Sequence, residues 1–141
     1  MEVVKIFGLQ SHSVNKIPFY SMSVAAGSPV IADNSIEADV DLNEFLISHP
    51  ASTFFAHVSG NNMKQAGIID GDILIVDTSI EPSDYKVVIA SLGNELSVKI
   101  YRELEGIVYL QTDHERFLPL SIDGLMEFNI IGVVTKVIHS L

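Results

Sequence analysis

Cysteine is absent from this 141-residue chain, which excludes a disulfide framework, a thiolate-bound metal and a cysteine nucleophile. Basic residues are scarce: eight Lys and Arg stand against 18 Asp and Glu, for a formal net charge of −10. They are scattered singly among acids, as in Lys99-Ile100-Tyr101-Arg102-Glu103, and form no patch able to displace counterions from a nucleic-acid backbone. Direct DNA binding is therefore not expected, and the acidic surface favours solubility and basic partners. No apolar run reaches the roughly 18 residues of a membrane span, and no basic stretch followed by an apolar one opens the chain. The expectation is a soluble, cytoplasmic protein with no membrane partner. Also missing are G-x-S-x-G, the P-loop and G-x-G-x-x-G. The histidines His12, His49, His57, His114 and His139 never fall at metal-ligand spacing, so neither a metal nor a cofactor is expected.

What is present is a folding sequence. Apolar residues make up 48% of the chain and charged ones only 18%, which excludes extensive disorder. The length suits one domain, or one plus an arm, and needs no covalent staple to hold a core. Residues 1–40 carry short apolar patches (Val3-Val4-Lys5-Ile6-Phe7, Ile17-Pro18-Phe19-Tyr20) without a sustained period, and read as an N-terminal arm. Within it, Ser23-Val24-Ala25-Ala26-Gly27-Ser28-Pro29 is a small-residue, extended segment. A domain over residues 41–141 follows. Asp41 with Glu44 three residues later makes a capping box for one short helix, with Leu42, Phe45 and Leu46 on one face and an end at His49-Pro50.

From Thr53 onward the pattern is β. Runs at 53–58, 73–77, 86–91, 96–101, 106–111 and 129–138 have strand length and β-forming composition. Leu96, Val98 and Ile100 alternate with Ser97, Lys99 and Tyr101, and Gly93-Asn94 supplies a hairpin turn before them. The fold class is mostly β, a sandwich or partly open barrel with one short helix.

Three local features bear on chemistry. Val58-Ser59-Gly60-Asn61-Asn62-Met63 is a turn after the first core strand, with one helical turn expected over Met63 to Ala66, and Asp70-Gly71-Asp72 leads into the next strand. Lys99 stands on the polar face of its strand. Left exposed it is an ordinary surface lysine; covered, it loses solvation, its pKa falls and the amine becomes a base. Ala26-Gly27 is a sterically open dipeptide.

Taken in order, these segments resemble the LexA/UmuD family of self-cleaving serine peptidases, over roughly residues 17–141 and closest to its UmuD branch. The matching stretches are Ala26-Gly27; Asp41-Leu42-Asn43 with His49-Pro50; Ser59 to Met63; Gly67 to Asp77; and Val98-Lys99. The resemblance implies a Ser-Lys dyad that cuts the chain's own Ala26–Gly27 bond, with position 62 as nucleophile and Lys99, 37 residues later, as general base. It implies an oxyanion hole from the backbone N–H groups of Asn61 and Asn62. It also implies a homodimer, cleavage provoked by a RecA filament on single-stranded DNA, and a cleaved form, starting at Gly27, that supports a Y-family error-prone polymerase in translesion synthesis during the SOS response. Position 62 departs from the pattern. Its carboxamide nitrogen has no readily removable proton, so self-cleavage is expected to fail, and Ser59, before the glycine, matches the family's non-catalytic serine. Asn62 fits either a natural non-cleaving relative or a single substitution in Ser-Gly-Asn-Ser-Met. The alternative function is a dimerisation and binding module only.

Overall fold

The computed structural model describes residues 1–8, 16–20, 36–112, 120–121 and 128–141. The expected scissile pair Ala26-Gly27 lies outside the described residues, as do His12 and His114. Strands dominate the described residues. In chain order they are β1 (Glu2–Gly8), β2 (Lys16–Tyr20), β3 (Ile36–Asp41), β4 (Thr53–Ser59), β5 (Ile73–Asp77), β6 (Val87–Leu92), β7 (Glu95–Leu104), β8 (Ile107–Gln111), β9 (Leu120–Ser121) and β10 (Phe128–Ile138). A short helix, α1 (Leu42–Leu46), and a 3-10 turn over Pro50–Ser52 lie between β3 and β4. The chain divides into two compact units, Gln10–Ser48 and a larger one of Met1–Leu9 with His49–Leu141.

In the smaller unit, β2 and β3 form an antiparallel pair with Lys16 opposite Asp41. Asp41 keeps extended backbone and its side chain accepts from Asn43 N at 3.1 Å, the N-cap that the sequence predicts. The helix stops at Leu46, short of the expected His49-Pro50 end, because β-branched Ile47 is already extended at φ −128°. Pro50 instead opens the 3-10 turn, where its missing N–H costs nothing.

The larger unit is one antiparallel sheet in the order β1-β4-β5-β10-β6-β7-β8-β9, and a further pairing of β1 with β7 closes its first six strands into a ring. This is the mostly-β architecture expected, in its barrel form, with β8 and β9 extending from the seam. Closure is narrow: only Glu2, opposite Ser97, pairs across it. The hairpin between β6 and β7 turns at Gly93, φ 61°, a left-handed conformation that glycine adopts without a Cβ penalty.

Alternation along the strands sorts side chains into two cores. Val58, Met63, Leu74, Val76, Ile89 and Val98 form one cluster with Met1, joined by Leu96 and Ile100. Val88, Ala90, Tyr101, Leu110 and Val133 form a second, from the opposite face of β6, β7, β8 and β10. Leu74 to Asp77 on β5 are all buried, in keeping with an apolar run flanked by β4 and β10.

Candidate functional site

The loop from β4 to β5 builds the site. β4 ends at Ser59, and Gly60, with φ 108°, turns the chain out of the strand. Met63 O then accepts from Ala66 N and Ile68 N, both at 3.1 Å, giving a compact turn where one was expected. Met63 and Ile68 are fully buried and anchor this turn. The returning limb is tied back to β4. Asp70 Oδ1 accepts from Gly60 N at 2.8 Å, Gly71 N donates to Val58 O, and Val58 N donates to Asp72 O. Asp72, also buried, accepts from Ile69 N at 2.9 Å and contacts His139 Nδ1 at 2.7 Å. Asn62 is thus carried on a loop fixed at both ends, half-buried, at a cleft of about 460 Å³ lined by Met1, Glu2, Ser59, Gly60 and Asn61 as well as itself.

The chain's first residue enters this site, which the sequence did not signal. Its ammonium donates to Asn62 Oδ1 at 2.6 Å, and its carbonyl accepts from Val98 N at 3.1 Å. One residue therefore bridges position 62 to the residue preceding Lys99. The backbone N–H groups of Asn61 and Asn62 have no acceptor among the described residues.

Lys99 lies on β7 opposite Val88. It is half-buried, and loss of solvation pushes its pKa below the ordinary lysine value, the covered case of the two weighed from sequence. Among the described residues its ammonium makes no hydrogen bond or ion pair, with Asn62 or with any other side chain. Ser97, two residues earlier and therefore on the same strand face, has a buried Oγ with no hydrogen-bond partner among the described residues.

Two histidine–carboxylate pairs escaped the sequence reading because their members lie 28 and 67 residues apart. His139 contacts Asp72 beneath the loop. His49 contacts buried Asp77 at 2.6 Å, and Asp77 also accepts from Ser52 Oγ, Ser79 N and Ser79 Oγ. Burial pushes the Asp77 pKa up, but these donors outweigh it and hold the carboxyl well below the usual carboxylate range. Among the described residues no three His, Cys, Asp or Glu side chains converge as metal ligands. None of the described helices is long and apolar enough to cross a membrane.

Comparison with known proteins agrees with this architecture. The Peptidase S24-like family matches residues 18–135. The LexA repressor of Colwellia psychrerythraea is 37% identical over 118 residues, 83% of this chain and 56% of that protein. Protein ImpA of Salmonella typhimurium is 37% identical over 124 residues, 86% of this chain and 83% of the relative. Protein MucA of Escherichia coli is 40% identical over 86 residues, 61% of this chain and 59% of the relative. The chain spans little more than half the length of the LexA repressor it matches. A family match running from β2 into β10, over the loop of Asn62 and the strand of Lys99, settles the assignment: the chain belongs to the Peptidase S24-like family, the LexA/UmuD group.

Proposed function

We propose that this chain is a UmuD-type protein of SOS mutagenesis, built to cut its own Ala26–Gly27 bond, and that Asn62 keeps it intact. The observation that carries this reading is the placement of Asn62 in a cleft, linked through one residue to the strand position beside a half-buried, desolvated lysine. Family membership and the likeness to ImpA and MucA support it.

The chemistry follows from the residue types. A serine hydroxyl is a weak nucleophile until a base takes its proton. In an Asn62→Ser chain, neutral Lys99 Nζ takes that proton while the oxygen attacks the Ala26 carbonyl carbon. Desolvation favours the neutral amine at lower pH than an exposed lysine allows. The backbone N–H groups of residues 61 and 62 stabilise the oxyanion. Lys99 then returns the proton to the Gly27 nitrogen as the C–N bond breaks, and water hydrolyses the Ala26 ester. Asn62 offers no removable proton, so the sequence stops at the first step while the backbone donors persist.

The partners are those of the UmuD branch: a second copy of the chain, a RecA filament on single-stranded DNA as the trigger, and a Y-family error-prone polymerase, all in the cytoplasm. The test is an Asn62→Ser chain incubated at alkaline pH or with RecA filaments and examined by intact mass. Fragments 1–26 and 27–141 are expected; an uncut chain under both conditions overturns the peptidase reading.

Asn62 itself favours a second reading, a non-cleaving partner that dimerises with serine-bearing relatives. Native mass spectrometry of the mixture should then show the heterodimer, and its absence removes that reading.

A further inference from the structure

We propose that β1 is a displaceable plug in a strand-binding slot between β4 and β7, and that the segment around Ala26-Gly27 must take its place before cleavage. The proposal rests on the peptidase reading above and adds to it a competition within the chain.

The slot is defined by backbone. β1 pairs with β4 from Glu2 opposite Ser59 to Gly8 opposite Phe54, and with β7 through Glu2 opposite Ser97. Removing β1 leaves two strand edges facing one another across the ring seam, their N–H and C=O groups unpaired. Such edges bind an extended segment through main-chain hydrogen bonds, largely independent of its sequence. This slot runs directly to residue 62.

The plug is seated at one end and loose along its length. Met1 is 7% exposed, belongs to the core cluster, and bonds at once to Asn62 Oδ1 and to Val98 N. Gly60 lets it approach: a Cβ there would stand 3.3 Å from Met1 Cα. The rest of β1 is poorly covered, with Val4 53%, Ile6 48% and Phe7 37% exposed, and a bulge between Val3 and Lys5 interrupts its register. Exposed side chains and a broken register mark a strand that opens locally at lower cost than a buried one. While Met1 is seated, its ammonium occupies the side chain at position 62. In an Asn62→Ser chain the same cation would hold the hydroxyl oxygen away from an incoming carbonyl.

The chain has no cysteine, so a single disulfide can lock the plug. Phe7 and Phe55 are directly opposed in β1 and β4, as are Lys5 and His57. Opposed Cβ atoms stand about 4.5–5.5 Å apart, close enough for a disulfide after a small adjustment. The experiment adds Phe7→Cys/Phe55→Cys, or separately Lys5→Cys/His57→Cys, to the Asn62→Ser chain and follows fragments 1–26 and 27–141 with RecA filaments, oxidised and after reduction. Oxidation should slow cleavage at least tenfold in both pairs, and reduction should restore the rate of the Asn62→Ser chain. Restoration also shows that the locked chains are folded. Equal rates in the two redox states overturn the plug and leave the peptidase reading standing. An Asn62→Ser chain without added cysteines that never cleaves overturns the peptidase reading, and the plug with it.

Discussion

Replacing Met63 by Ala tests whether the loop carrying position 62 is held by its buried anchor. Met63 is 0% exposed and lies in the same cluster as Val58, Val98 and Met1, so truncation removes a thioether arm and leaves a cavity bounded by strands that cannot collapse far. Large-to-small changes at such sites cost about 2–5 kcal/mol. At about 4 °C per kcal/mol for a domain of this size, Tm should fall by roughly 8–20 °C. Lys64→Ala, one residue on and exposed, is the control and should stay within about 0.5 kcal/mol of the parent. Urea unfolding of the two variants beside the parent gives both numbers. A Met63→Ala chain within 1 kcal/mol of the parent by that measure would refute the anchored loop, and with it the fixed position of residue 62.

Other consequences follow from single contacts. A Cβ on Gly132 would lie 2.8 Å from Val76 Cγ1 and 3.0 Å from Asp77 O, so Gly132→Ala should destabilise by about 1–3 kcal/mol in thermal unfolding. Asp77→Asn removes a carboxylate that accepts from His49, Ser52 and Ser79, at a cost of about 1–3 kcal/mol at pH 7. Because the folded-state pKa of Asp77 is depressed, its contribution is complete above the ordinary carboxylate range and is lost as pH falls through the folded value. The gap between parent and variant should therefore narrow in strong acid. Lys99 behaves oppositely in charge: its folded pKa lies below its unfolded one, so burying the ammonium costs stability below the folded value, and the cost is relieved as pH rises toward the unfolded one. Lys99→Met should be more stable than the parent at pH 7, with the difference shrinking at alkaline pH in urea titrations.

Local signals were legible and long-range ones were not. The run Ile73–Asp77 is the strand β5 residue for residue, because a β-branched apolar stretch bounded by turn residues is long enough for a buried strand and too short for a helix. The Asp41 cap and the Gly93 turn were equally local, each a matter of one side chain or one φ angle. The apolar patch Val3 to Phe7 gave no sign that its strand closes a ring, since its partners Phe55 to Val58, and the Ser97 that meets neighbouring Glu2, are far along the chain and its side chains stay largely exposed. The same holds for His49–Asp77 and His139–Asp72, where neither residue type nor spacing announces the pair. At the site, strand alternation put Lys99 and Ser97 on one face, but only packing decided that this face is partly covered. That Met1 meets Asn62 follows from the register of β1 on β4, which a one-residue slip would abolish.

The central claim is that residue 62 and Lys99 act as one dyad, and the rate of self-cleavage against pH in the Asn62→Ser chain tests it most directly. The account predicts a rate that climbs with pH through a midpoint below the ordinary lysine value, as Lys99 loses its proton, and that vanishes in Asn62→Ser/Lys99→Ala at every pH. Cleavage at Ala26–Gly27 that persists without Lys99, or that ignores pH across this range, would contradict it.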